Sequence, residues 1–175
     1  MTGLWKKWHP NGQLASERNY NEDEIINGYY NDWFENGKVR YEGNFLDNKE
    51  IGVHREWHEN GNLSLHAFYQ NGKLHGIKTT WFSDGTISSQ GSWINGMEDG
   101  IHEIWAPNKT LRESREYVNG VRHQYHIGWY SPGSKRFENF YNQGKPIFYK
   151  WWDSSGKLRH LTTFNKLGKL IRKES

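Results

Sequence analysis

Apolar side chains return along this chain at fixed offsets from a recurring tryptophan. Trp8, Trp33, Trp57, Trp81, Trp105, Trp129 and Trp152 are spaced by 25, 24, 24, 24, 24 and 23 residues. Four positions earlier stands Leu4, Tyr29, Val53, Ile77, Ile101, Tyr125 or Phe148. Six positions later comes Leu14, Val39, Leu63, Ile87, Leu111 or Leu158, with Lys135 the outlier. An aromatic closes each copy: Tyr20, Phe45, Tyr69, Trp93, Tyr117, Tyr141 and Phe164. Even separations put side chains on one face of a strand. The pattern therefore predicts that all four phases line one apolar face, and that Lys, Arg, Glu, Thr and Ser occupy the other.

Turn chemistry punctuates the same period. Asn11-Gly12, Asn36-Gly37, Asn60-Gly61 and Asp84-Gly85 follow the first four tryptophans, and Asn108-Lys109, Pro132-Gly133 and Ser155-Gly156 the last three. A second set, Asn71-Gly72, Asn95-Gly96, Asn119-Gly120 and Gln143-Gly144, follows the closing aromatic. Asn-Gly and Asp-Gly suit type I′ turns, which need positive φ at both central residues. No apolar spacing of three or four is sustained, so a helical reading fails. Each unit is too short to bury its own apolar face and must lean on its neighbours.

The expected architecture is all-β: an elongated repeat array of about seven β-hairpins forming one long twisted antiparallel sheet. Consecutive hairpins pair in order, and about fourteen strands at ~4.8 Å each give a sheet on the order of 65 Å long. Residues 1–175 read as one domain, with repeats starting near 3, 28, 52, 76, 100, 124 and 147. Leu170-Ile171 reads as the start of an eighth hairpin that stops after one strand. Lys6 and Lys7 on the first strand fit the charged edges that discourage end-to-end pairing.

Composition narrows the function classes. Aromatics reach 16%, so the core is expected to be built from rings, and disorder is excluded despite the low mean hydropathy. Net charge is +3, from 23 basic and 20 acidic residues, and no basic stripe appears outside Lys166 to Lys173. A nucleic-acid partner is therefore not expected. Zero Cys removes disulfides and thiolate chemistry and suits a reducing compartment. With no leader-like h-region and no long apolar run, the default location is cytoplasmic.

The pattern Gly-x4-Trp-x2-Asn-Gly-x-Leu-x5-aromatic-x-Asn-Gly resembles the MORN repeat, specifically the bacterial variant found in the YwqK-family antitoxins. The units Gly28 to Ile51, Gly52 to His75 and Gly76 to Asp99 carry it best, in Trp-Phe-Glu-Asn-Gly-Lys, Trp-His-Glu-Asn-Gly-Asn and Trp-Phe-Ser-Asp-Gly-Thr. Gln124 and Ile147 depart from the leading Gly, so the last two hairpins are expected to pack differently or to cap the array. The resemblance implies a single-layer hairpin sheet and a platform for proteins or lipids. The antitoxin likeness implies silencing a toxin partner by binding it.

Chemistry-bearing candidates give little else. His54-Arg-Glu-Trp-His58 has the wrong order for a zinc-protease motif, and residues four apart on a strand lie ~13 Å apart. His54, His102 and His126 share one repeat position, two after the leading residue, which reads as a place on the polar face. Neither a nucleophile elbow nor a phosphate loop is present. No enzymatic activity, cofactor or metal is expected. Tyr30, Phe34, Phe82 and Tyr130 flank the phase tryptophans on the opposite face, where an open sheet would expose them as partner-binding rings. The competing reading is a second small core formed by the coiling sheet. Anionic-lipid binding (from the basic tail and surplus rings), carbohydrate binding and a purely structural spacer remain open beside protein binding.

Overall fold

A computed structural model describes residues 2–174. Among these the structure is all strand and turn, with no helix, and the strand pairs are antiparallel. The chain falls into two compact units, residues 1–86 and 87–175. The first contains β1 (Gly3–Trp8), β2 (Leu14–Tyr20), β3 (Ile26–Trp33), β4 (Val39–Leu46), β5 (Lys49–Trp57), β6 (Leu63–Gln70), β7 (Lys73–Leu74) and β8 (Gly76–Trp81). The second contains β9 (Ile87–Ile94), β10 (Met97–Glu98), β11 (Gly100–Trp105), β12 (Leu111–Val118), β13 (Val121–Ser131), β14 (Ser134–Asn142), β15 (Lys145–Trp152), β16 (Leu158–Phe164) and β17 (Leu170–Glu174). Breaks at His75 and Asp99 divide β7 from β8 and β10 from β11. β17 is the lone strand expected of an eighth hairpin.

Two kinds of turn alternate. After every tryptophan but Trp129, where β13 runs on to a two-residue turn at Pro132-Gly133, the chain makes a four-residue turn: Phe34 N–H donates to Lys38 O at 2.8 Å, and Gly37 N–H to Phe34 O at 2.9 Å. Gly12, Gly37, Gly61 and Gly85 have positive φ here, and Lys109 takes the same role at φ 63°. The preceding Asn or Asp does not, which corrects the expectation of type I′ geometry at these sites. Its side chain works instead as an acceptor two residues on, as in Asn36 Oδ1 from Lys38 N–H at 3.0 Å and Asp84 Oδ1 from Thr86 N–H at 2.8 Å. Type I′ geometry belongs to the second set, where Asn71-Gly72, Asn95-Gly96, Asn119-Gly120 and Gln143-Gly144 have both φ values positive.

Both turn rows join repeat to repeat. Asn11, Asn36 and Asn60 donate their amide Nδ2 to the carbonyls of Glu35, Glu59 and Ser83 in the following copy, at 2.7, 3.1 and 2.6 Å. On the other row Gly72, Gly120 and Gly144 N–H groups reach back to the carbonyls of Glu50, Glu98 and Arg122 at 2.9, 2.7 and 2.8 Å. Backbone groups in tight turns would otherwise face water, so these bonds tie neighbouring hairpins where their strands end.

One irregularity reorganises the faces. In every hairpin for which the register is defined, it shifts by one residue beside the tryptophan: at Lys7/Trp8, Asp32/Trp33, Glu56/Trp57, Ile104/Trp105, Gly128/Trp129 and Trp151/Trp152. A one-residue bulge reverses side-chain parity across the turn. The closing aromatic therefore lies opposite the leading residue, as in Gly28↔Phe45, Gly52↔Tyr69 and Gly100↔Tyr117. The apolar residue four before the tryptophan lies opposite its predecessor, as in Tyr29↔Asn44, Val53↔Phe68 and Ile101↔Glu116. The expectation of one face lined by all four apolar phases is thus overturned: the first phase and the closing rings face opposite ways.

Candidate interaction surfaces

The face expected to be polar is the packed one. In the first unit a file of rings crosses it, drawn from successive strands, with β4 supplying both Tyr41 and Phe45. Arg18 on β2 lies 5.4 Å from the Trp5 ring and 4.2 Å from the Tyr30 ring. Tyr30 meets Tyr41 at 5.0 Å and Phe45 at 6.0 Å; His54 meets Phe45 at 5.3 Å and Tyr69 at 4.8 Å. Tilted and edge-on contacts at these distances favour the ring quadrupoles. His54 is only 2% exposed.

Polar groups in the file are paired, Arg18 Nε excepted. His54 Nε2 donates to Asn44 O at 3.0 Å, since a carbonyl only accepts, and Nδ1 then accepts from the Tyr41 hydroxyl at 2.6 Å. Burial lowers the His54 pKa against the opposing pull of the Asn44 carbonyl. Asp32 is 4% exposed and accepts from Arg40 at 2.5 Å and Tyr30 at 2.9 Å. Burial alone would raise its carboxyl, but these hydrogen bonds outweigh that and hold it below the usual range.

Small residues make room for the rings. Gly43 lies opposite Tyr30, and Ala67 opposite His54. A methyl group built on Gly43 would stand under 3.0 Å from Tyr41 Oη and His54 Nδ1. In the second unit the motif recurs: His102 sits 4.5 Å from Trp93 and 5.2 Å from Tyr117, and its Nε2 donates to Ser92 O at 2.8 Å. His126 departs from it, pairing with Glu113, which also accepts from Arg115 at 2.9 Å. The recurrent histidines are therefore part of the packing. The sequence signal that reveals this is the small residue ten positions after a tryptophan: Gly43, Ala67 and Gly91.

The opposite face is open and apolar. In the first unit Leu4, Tyr29, Phe68 and Ile77 are 50%, 38%, 41% and 58% exposed. In the second, Ile101 and Tyr125 are exposed as well. Charged and amide side chains lie between them, among them Lys6, which pairs with Glu17 at 3.2 Å.

The four rings expected to meet a partner are not gathered on this face. Tyr30 belongs to the ring file, and its hydroxyl is engaged by Arg18 at 2.7 Å. Phe34, Phe82 and Tyr130 each follow a tryptophan and are half-buried, the first two at the start of its turn and Tyr130 still within β13. His9 and His58, at that same position, donate Nε2 to the Trp33 and Trp81 carbonyls, both at 2.9 Å. Tyr130 does the equivalent through its hydroxyl, to Trp152 O at 3.1 Å. Phe34 lines a groove of about 780 Å³ with Trp8 and Trp33. A second groove, of about 960 Å³, lies in the second unit between β14, β15 and the β16–β17 turn. Among the described residues no group of three or more His, Cys, Asp or Glu is placed to hold a metal ion.

Against this geometry, the family model described as MORN repeat variant matches residues 1–22, 26–47 and 50–71. The three matched segments cover the first three hairpins, and their boundaries fall in the second row of turns. No curated protein matches the chain significantly. Among the described residues no helix is long and apolar enough to cross a membrane.

Proposed function

We propose that this chain is a non-enzymatic scaffold that binds a protein partner across the open face of its hairpins. The carrying observation is the row Leu4, Tyr29, Phe68 and Ile77, apolar side chains left in water on the side opposite the ring file. Large apolar side chains repeated along one exposed face, with polar groups between them, offer anchors for a partner. Repeats of the matched variant are generally protein- or membrane-binding modules, which supports the reading. The partner we favour is a toxin silenced by occlusion, as the antitoxin likeness of the repeats suggests, acting in the cytoplasm. Tyr30, Phe34 and Phe82 contribute indirectly, by fixing the strands that present the row, and Tyr130 does so within the second unit, where Ile101 and Tyr125 are exposed.

The test is capture from native lysate with tagged wild type and with the double variant Tyr29→Glu/Ile77→Glu. A stoichiometric partner held by the first and lost by the second supports the reading. A partner held equally by both places binding elsewhere, and no partner at all returns the chain to a spacer. Co-expression with the captured protein then decides the toxin question through growth.

A membrane-surface reading has its own observation. Leu167, Leu170 and Ile171 are 69%, 60% and 65% exposed among Lys166, Lys169, Arg172 and Lys173. Apolar side chains inside a basic cluster suit an anionic bilayer surface. Sedimentation with phosphatidylserine vesicles, against neutral vesicles, separates it from protein docking.

A further inference from the structure

The second groove lies beside the last turn of its row, which differs from the two-residue turns before it. Gly72, Gly120 and Gly144 each tie their turn to the preceding one through a backbone bond. Gly168 does not: its N–H donates to Asn165 O at 2.8 Å, inside a four-residue turn of the tryptophan-following kind. Gly168 lies close to Lys145 and Pro146, and the groove opens beside that contact, over Asn165 and Lys166.

Sequence departures coincide with that space. Earlier repeats place a glycine at the leading position, which supplies no side chain. Here Gln124 and Ile147 stand there instead, and both line the groove. Ile147 is also the extra residue of the shift at Phe140/Tyr141. Phe140, Ile147, Phe164 and Ile171 give the groove an apolar floor. Lys145 and Lys166 stand exposed at its rim. Among the described residues lining it, none is Asp or Glu.

We infer that this groove is a docking site for a protein segment carrying an aromatic or aliphatic anchor flanked by carboxylates. The floor would take the anchor, removing it from water. The two lysines would meet the flanking acids, and with no opposing carboxylate in the lining that attraction is uncompensated. The site is separate from the exposed row of the first unit and does not depend on the function proposed for it.

Selection of random displayed peptides of about ten residues on the full chain tests this. Enriched sequences are expected to combine Phe, Leu or Ile with Asp or Glu. Their affinity, by fluorescence anisotropy, is expected to fall about tenfold or more on Lys145→Glu/Lys166→Glu and to weaken with added salt. Ile147→Gly, which restores the residue of the earlier repeats, is expected to weaken the same peptides while circular dichroism stays unchanged. Enrichment of basic or uncharged peptides overturns the proposal, as does no enrichment, or equal binding to the charge-reversed chain. Binding of phosphatidylserine vesicles through the same lysines with no peptide selected, or self-association abolished by the charge reversal, assigns the groove to a lipid or a second copy and also overturns it.

Discussion

The two faces of the first unit use the same strands and reach opposite outcomes. On one, Arg18, Tyr30, Asp32, Tyr41 and His54 are polar or amphipathic, yet they pack ring on ring with nearly every heteroatom satisfied. On the other, Leu4, Tyr29, Phe68 and Ile77 are apolar and remain in solvent. Side-chain hydrophobicity did not decide which side closed. Shape did: tyrosine and histidine rings occupy the room that Gly43 and Ala67 leave, and their polar atoms reach backbone carbonyls and one another. A single-layer sheet has no second layer to cover its other side, so the apolar row stays open.

Breaking the packed face carries the largest expected effect. His54→Ala removes a ring wedged between Phe45 and Tyr69 and strands the Tyr41 hydroxyl, a loss of about 3 kcal/mol read by urea denaturation. Gly43→Ala adds one methyl where Tyr41 and His54 leave no room, with an expected loss of about 2 kcal/mol. Should either variant be as stable as wild type, the file is not what holds the unit. Asn60→Ala cuts the link to Ser83 O and the turn bond from Asn62 N–H. Its expected loss is about 1 kcal/mol, in the same assay.

Acid sharpens the contrast by a smaller amount. The His54 and His126 pKa values lie below their unfolded values, chiefly through burial. The unfolded chain therefore binds protons first as pH falls, and stability is lost from about 6.5 downward, through the folded pKa of each. Thermal melts between pH 8 and 5 should show a declining Tm, and His54→Gln should flatten the decline. The smallest effect belongs to the open face: Tyr29→Ser or Ile77→Ser should change stability by under ~0.5 kcal/mol while partner capture is lost.

Much of this was legible in the residues. The tryptophan period placed the hairpins, and the turn dipeptides placed their ends, because backbone demands at a turn leave few residue choices. Face assignment was not legible, since a bulge next to Trp33 or Trp57 leaves no mark in composition yet inverts parity for half a hairpin. The Asn-Gly pairs misled in a related way. At Asn36 the amide serves as a side-chain acceptor, whereas at Asn71 the backbone itself is left-handed, and both spell the same dipeptide. Tyr30 was expected to be exposed for the same reason of parity. The groove at Ile147 was half visible, as a departure from the leading glycine of the earlier repeats.

Hydroxyl-radical footprinting of the intact chain, resolved to single residues by mass spectrometry, tests the central claim most directly because it asks which face meets water. The account predicts heavy labelling of Tyr29, Phe68 and Ile77, with Tyr30, His54 and Tyr69 protected until the chain is unfolded. Protection of Tyr29 and Ile77 together with ready labelling of Tyr30 and His54 would contradict it.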